Sequence, residues 1–256
     1  MEGLYHTEAF VVYISLSFAD SVILSSIGMA SLKDNFTLRD YQDFVKEVYD
    51  LPDDRHFNTS DMMANMERFL MRGLKGIRKK DEKKIKINMI ISSSWLMSLL
   101  NQLHIDIEKE TWERFPYLCS YCASCPCSCK ENKVNQRQEI IRNDRLKPKS
   151  LLGFQEMFEE IYPSSKRTIQ DAGIHLAEEM GELSETVLVY RGLRKQADFD
   201  NMKLEAADLM SCFMGVFDSL KLEFSKELSL HFFDNCYRCH KAPCVCTFTD
   251  VMNFKS

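Results

Sequence analysis

Acidic side chains three residues apart on a helix lie on one face, about one turn apart. The sequence holds two such pairs close together, Glu179 with Glu182 and Glu205 with Asp208. Two helices carrying them, packed face to face, gather four carboxylates, and that cluster repels itself unless cations neutralise it. Oxygen donors of this kind suit Mg2+ or Mn2+. Ions held in this way neutralise developing negative charge and lower the pKa of a bound water. An E-x-x-E pair alone most often marks a solvated helix face, and with 38 acids in 256 residues such pairs arise by chance. The setting separates this one. Glu205 and Asp208 sit among Leu204, Ala206, Ala207, Leu209 and Met210, with no lysine four residues on to pair with either. Glu178 and Glu185 are read as facing solvent. Arg191, Arg194, Lys195 and Lys203, in the connection beside the acids, are candidate phosphate contacts.

A second chemistry lies in the cysteines. Cys119, Cys122, Cys127 and Cys129 follow the spacing C-x2-C-x4-C-x-C, and Cys236, Cys239, Cys244 and Cys246 repeat it. Four thiolates within eleven residues can wrap one tetrahedral ion, so each cluster is expected to hold a structural Zn2+, two per chain, with an iron–sulfur cluster as the alternative. Cys125 and His240 are spare donors near the clusters. Cys212 reads as a small core residue.

The clusters also expose a duplication. They are offset by 117 residues, each with a proline before the third cysteine, and the offset runs back without a gap over 86–119 and 203–236. Nearer the start of each half the offset is 113, matching Leu38, Gln42, Glu47 and Tyr49 to Leu151, Gln155, Glu160 and Tyr162. The difference predicts a four-residue insertion between the two central helices of the second half. The expected organisation is a segment 1–34, a first repeat 35–130, a polar linker 131–149, a second repeat 150–247 and a tail 248–256. At these offsets Glu179, Glu182, Glu205 and Asp208 fall on Met66, Phe69, Asn88 and Ile91, so the first repeat has lost the acids and its positions 66, 69 and 91 should be packing surface. The basic run Arg78, Lys79, Lys80, Lys83, Lys84 and Lys86 reads as a solvated connection, within reach of a bound nucleotide's phosphates.

The elements that must position these residues are helices. Only 9 Gly and 6 Pro interrupt long stretches rich in Glu, Lys, Leu and Met, and the composition, 45% apolar and 28% charged, is that of a globular all-α protein. In the second repeat the periodicity predicts helices over 151–162, closed by Pro163, and over 168–191, capped by Gly192. A third begins at Asp200 and a fourth covers 223–233. Residues 9–31 carry one charge, Asp20, among six serines, and read as a buried helix or short strand in preference to a membrane span.

The segments HLAEEMGELSE (175–185) and LEAADLM (204–210) resemble the E-x-x-E and E-x-x-D signature of the MazG-like nucleoside triphosphate pyrophosphohydrolases. The resemblance covers the second repeat up to its cysteines and, in pattern only, the first. It implies an all-α bundle in which Glu179, Glu182, Glu205 and Asp208 bind Mg2+ and a nucleoside triphosphate is hydrolysed to the monophosphate and pyrophosphate. Family members pair as dimers around their sites. The duplication would then place two MazG-like protomers in one chain, a pseudo-dimer with one working site and a cysteine knuckle ending each half, and such pseudo-dimers could associate further. The knuckles depart from the minimal family pattern and suggest a specialised subgroup.

Two other functions fit the same sequence: a nucleotide-binding sensor that keeps the acids and turns over slowly, and a zinc-dependent interaction protein. A net charge of −5 and the lack of a basic, aromatic stripe around the second knuckle argue against nucleic acid. Clustered cysteines and an N-terminus without a basic signal region point to a cytoplasmic protein without a membrane anchor.

Overall fold

The structure, a computed structural model, describes residues 31–33, 35–132 and 135–255. The apolar segment 9–31 lies outside them except for Ser31. Among the described residues there is no strand. No helix there is long and apolar enough to cross a membrane.

Eight helices form two matching sets. The first is α1 (Leu38–His56), α2 (Thr59–Lys79), α3 (Glu82–Gln102) and α4 (Ile107–Arg114); the second is α5 (Leu151–Ile161), α6 (Ile169–Leu193), α7 (Gln196–Leu220) and α8 (Phe224–Phe232). A short α9 (Phe248–Met252) follows the second cysteine cluster. Each set is a long antiparallel hairpin, α2 with α3 and α6 with α7, flanked by two shorter helices. The hairpins cross through α2 and α6: Ser184 donates to Glu67 at 3.1 Å, and Arg191 bonds Ser60 near the other end. Gly173 sits at this crossing, where a Cβ would lie 2.7 Å from Ile77 Cδ1 and 3.1 Å from Leu74 Cδ2. A methyl group here would have to displace the tips of those two side chains.

The same buried clamp closes each set. Gln42 donates to Ile105 O at 2.7 Å and accepts from Ile107 N; Gln155 donates to Leu222 O at 2.8 Å and accepts from Phe224 N. One side-chain amide thus satisfies two backbone groups that the turn before the last helix would leave orphaned. Gln155 also donates to buried Asp218 at 2.8 Å. Replacing Gln155 with Leu should therefore destabilise the protein by roughly 2–4 kcal/mol, since it strands three buried polar partners. Urea unfolding measures this, and a loss within error of zero would show that the clamp contributes nothing.

The register of the second hairpin differs from the sequence alignment. Reciprocal capping boxes start α2 at Asn58 and α6 at Thr168. From there every buried residue of α6 (Ala172, Gly173, Leu176, Met180, Leu183 and Val187) falls on a buried residue of α2 at an offset of 110. The 117 offset holds over α3 and α7, whose buried positions coincide from Ile85 and Met202 onward except at Asn88, Ile91 and Ser94, buried in α3 only, and Asp218, buried in α7 only. The insertion is therefore seven residues, about two helical turns, which lengthen α6 and α7 to 25 residues each against 21 for α2 and α3. Asp200 is inside α7, whose N-cap is Lys195, and Gly192 is inside α6, which ends at Arg194 in the left-handed conformation (φ 56°). Glu179 and Glu182 consequently match Phe69 and Arg72. The first set still carries no acid at any of the four positions, and Met66, Phe69, Asn88 and Ile91 are all fully buried.

Candidate functional site

The acids sit midway along the α6–α7 hairpin, and the structure brings three of them together. Carboxylate oxygens of Glu179, Glu182 and Glu205 lie within 4.8 Å of one another. One oxygen of Glu179 and one of Glu205 are buried without a hydrogen-bond partner. Burial, with Asp208, Glu182 and Glu179 nearby, pushes the Glu205 carboxyl up to about 7. Unpartnered buried oxygens in a self-repelling group are what a bound cation would satisfy, so the donor set fits a hard divalent ion.

Asp208 behaves differently. Its two oxygens accept from Arg114 Nε at 2.9 Å and Nη2 at 2.5 Å, a bidentate fork between side chains only 13% and 8% exposed. Burial raises the Asp208 carboxyl, and Arg114 opposes that shift. Arg114 ends α4, which belongs to the first set, so the site is assembled from both halves of the chain. No residue pattern marks it: one arginine in IEKETWER looks like any solvated cation. Arg137, in the connection after the first cysteine cluster, also adds positive potential at Asp208.

Three of the four cations expected from sequence lie toward the hairpin tip, and the fourth, Lys203, is two residues before Glu205 on α7. At 1.5 Å per residue, Arg191 is about 13 Å along α6 from Glu182, with Arg194 and Lys195 farther out at the hairpin tip. Arg191 bonds Ser60, Arg194 bonds Arg191 O at 3.2 Å, Lys195 is exposed, and Lys203 pairs with Asp200 at 3.1 Å. The structure does not gather them at the carboxylates. Glu178 and Glu185 face solvent, as do Arg78, Lys79, Lys80 and Lys83.

A second group adjoins the acids. His175, one turn before Glu179, places Nε2 3.0 Å from Glu179 Oε1 and Nδ1 3.5 Å from Cys212 Sγ on α7. Hydrogen bonds to Cys212 and Glu179 push His175 up to about 10. Cys212 is buried, as expected of a core residue, but has this partner as well. The His-x3-Glu spacing of His175 and Glu179 is the sign of this group in the sequence.

Both cysteine clusters close. Cys119, Cys122, Cys127 and Cys129 form one group and Cys236, Cys239, Cys244 and Cys246 the other, each with its four sulfurs within 4.8 Å; Cys125 and His240 belong to neither. Sulfur pairs stand at 3.7 and 3.9 Å in the first and 3.9 and 3.8 Å in the second. A tetrahedral ion with 2.3 Å bonds to sulfur requires an edge of about 3.8 Å, and a disulfide would need about 2 Å. The spacing fits a metal. Matching backbone N–H groups point at the sulfurs, Tyr121 and Cys129 in one cluster, Arg238 and Cys246 in the other.

Each knuckle docks on the other half. Cys127 N donates to Ile161 O of α5 at 2.8 Å, and Cys244 N to Val48 O of α1 at 2.7 Å. Phe115 meets Tyr162 at 6.2 Å between centroids and Phe232 meets Tyr49 at 6.3 Å, both edge-on. A cavity beside the second knuckle, lined by Tyr49, Asp53, Trp95, Tyr237 and Phe254 among others, lies away from the acids. No family model matches the chain, and neither the curated proteins nor the solved structures compared with it give a match.

Proposed function

We propose that the chain is a divalent-metal-dependent nucleoside triphosphate pyrophosphohydrolase of the MazG-like kind. The observation that carries this reading is the convergence of Glu179, Glu182 and Glu205 from two antiparallel helices, with oxygens of Glu179 and Glu205 left unpartnered. In this reading Glu179, Glu182 and Glu205 hold Mg2+ or Mn2+, with Asp208 as the fourth acid that the resemblance assigns. A divalent ion there supplies charge neutralisation for phosphate oxygens and an acidified water. Arg114 anchors Asp208 and sets a fixed positive charge at the edge of the cluster, and the apolar packing of Ala206, Ala207 and Leu209 beneath it limits water. Arg191, Arg194 and Lys195, at or near the hairpin tip, would meet only the far end of an extended substrate, while Lys203 stands two residues before Glu205 on α7 and pairs with Asp200.

The pseudo-dimer is part of the proposal. Matching clamps, exchanged knuckles and a site completed by Arg114 from the first half support two protomers fused into one chain with one working site. Zn2+ is the proposed ion of both knuckles, in keeping with free thiols held in a reducing compartment such as the cytoplasm. Because each knuckle is spent on docking to the opposite half, the arrangement favours a structural role over an outward interaction module.

Incubating the full chain with Mg2+ and a panel of ribonucleoside, deoxynucleoside and modified triphosphates tests the reading. Pyrophosphate and the monophosphate should appear together from at least one of them, at a rate that falls to background with chelator. Binding without turnover across the panel would instead identify a nucleotide sensor, and neither binding nor turnover would remove nucleotides from consideration.

A further inference from the structure

We propose that His175, Cys212 and Glu179 form a third metal site, distinct from the knuckles and selective for a first-row transition ion such as Zn2+, Co2+ or Fe2+. The three side chains offer one nitrogen, one sulfur and one oxygen, all within 4.8 Å of one another. The His175 Nδ1 to Cys212 Sγ distance is 3.5 Å, and a tetrahedral ion bound to imidazole and thiolate at ordinary lengths needs a nitrogen–sulfur edge of about 3.6 Å. A soft thiolate beside an imidazole disfavours Mg2+ and selects later first-row metals. Three protein donors leave one position open, the pattern of a reactive site and not of a closed structural one.

Two further observations separate this group from an ordinary hydrogen-bonded trio. Glu179 turns Oε1 toward Nε2 of His175, the ring nitrogen that does not face Cys212, and leaves Oε2 buried without a partner, so an ion held by Nδ1 and Cys212 would draw on that second oxygen, which the acidic trio shares. The internal duplication supplies the second. At the offsets fixed by capping and burial, His175, Glu179 and Cys212 match Asn65, Phe69 and Trp95. The half that has no acids also has none of these three donors, although its helices pack in the same way. A network needed only to hold α6 against α7 would be needed in both hairpins.

Glu179 belongs to both groups, so the third site adjoins the acidic trio, yet its occupancy does not depend on the hydrolytic reading. The test uses the full chain with zinc in both knuckles and cobalt as the probe. One further equivalent of Co2+ should bind, with a sulfur-to-cobalt charge-transfer band and no zinc released to a chromogenic chelator. Cys212→Ser should abolish the band while zinc stays at two per chain. His175→Gln, at a side chain 59% exposed, should weaken cobalt binding at least tenfold without touching the core. Glu182→Gln should abolish hydrolysis and keep the band. Zinc release matching cobalt uptake, or a band unchanged in both Cys212→Ser and His175→Gln, would overturn the third site. Pyrophosphate release that persists without any cobalt band would overturn it alone and leave the proposed function standing.

Discussion

Glutamine in place of Glu179, Glu182 or Glu205 is expected to lower pyrophosphate release by orders of magnitude while the protein stays folded. Each change removes an anionic oxygen from a group whose three carboxylates already sit within 4.8 Å, so metal affinity and water activation fail together. The stability effect should run the other way. Glu205 is half-buried among Asp208, Glu182 and Glu179, and a neutral amide there relieves repulsion that the metal-free protein must otherwise bear. Metal-free Glu205→Gln should therefore melt at or above the wild-type temperature. Asp208→Asn belongs with these in activity but not in stability. It leaves Arg114, only 8% exposed, without its counter-charge, and breaking a buried pair in this way costs about 3–5 kcal/mol. Calorimetry and pyrophosphate assay on the same preparations distinguish the two effects. Wild-type turnover in any two of the four variants would end the hydrolytic assignment.

The contrast between Glu205 and Asp208 shows where sequence reasoning stopped. Spacing placed both on one face of a helix, and they are on one face. What spacing could not supply is the partner that arrives from 94 residues away, because a buried arginine and a solvated one look alike in a string of letters. The cysteine pattern was fully legible, since both clusters close over the eight residues named from spacing. Which half each knuckle would dock on was not, because hydrogen bonds such as Cys127 to Ile161 are made by the backbone and leave no residue signature. The register error has a simpler origin. A slip of three residues is nearly one helical turn, so it keeps apolar positions on the same face. By residue type Met66 and Phe69 match Glu179 and Glu182 as well as Phe69 and Arg72 do, and the Asn58 and Thr168 caps, with the buried faces of α2 and α6, fix the choice. Likewise Asp200 was a good N-cap by residue type, but α7 begins four residues earlier, at Gln196, because the long hairpin continues α6 and α7 past the ends of their counterparts.

The exchanged docking of the knuckles gives the second large expected effect. Replacing Cys119 and Cys122 with Ser, or Cys236 and Cys239 with Ser, should each lower bound zinc from two ions per chain to one. Structural zinc contributes about 10–16 kcal/mol to folding of its site, comparable to the whole stability of a typical domain. Either double variant should therefore unfold far more readily than the parent, with loss of the helix that the knuckle follows. The two should nevertheless differ in activity. The first knuckle begins five residues after Arg114, the partner of Asp208, and its backbone is bonded to α5 of the half that carries the acids. The second knuckle holds α1 and the tail, where Arg68 and Arg72 donate to Val251 O and Phe254 O over the half without acids. At a temperature where both variants retain most of their helix, the Cys119/Cys122 variant should have lost turnover and the Cys236/Cys239 variant should keep a measurable share of it. Zinc content, circular dichroism and turnover measured on one sample of each would show this. Equal loss of activity in the two would mean that the knuckles act only through global stability, and the role assigned to Arg114 as a residue delivered to the site by the first half would lose its main support.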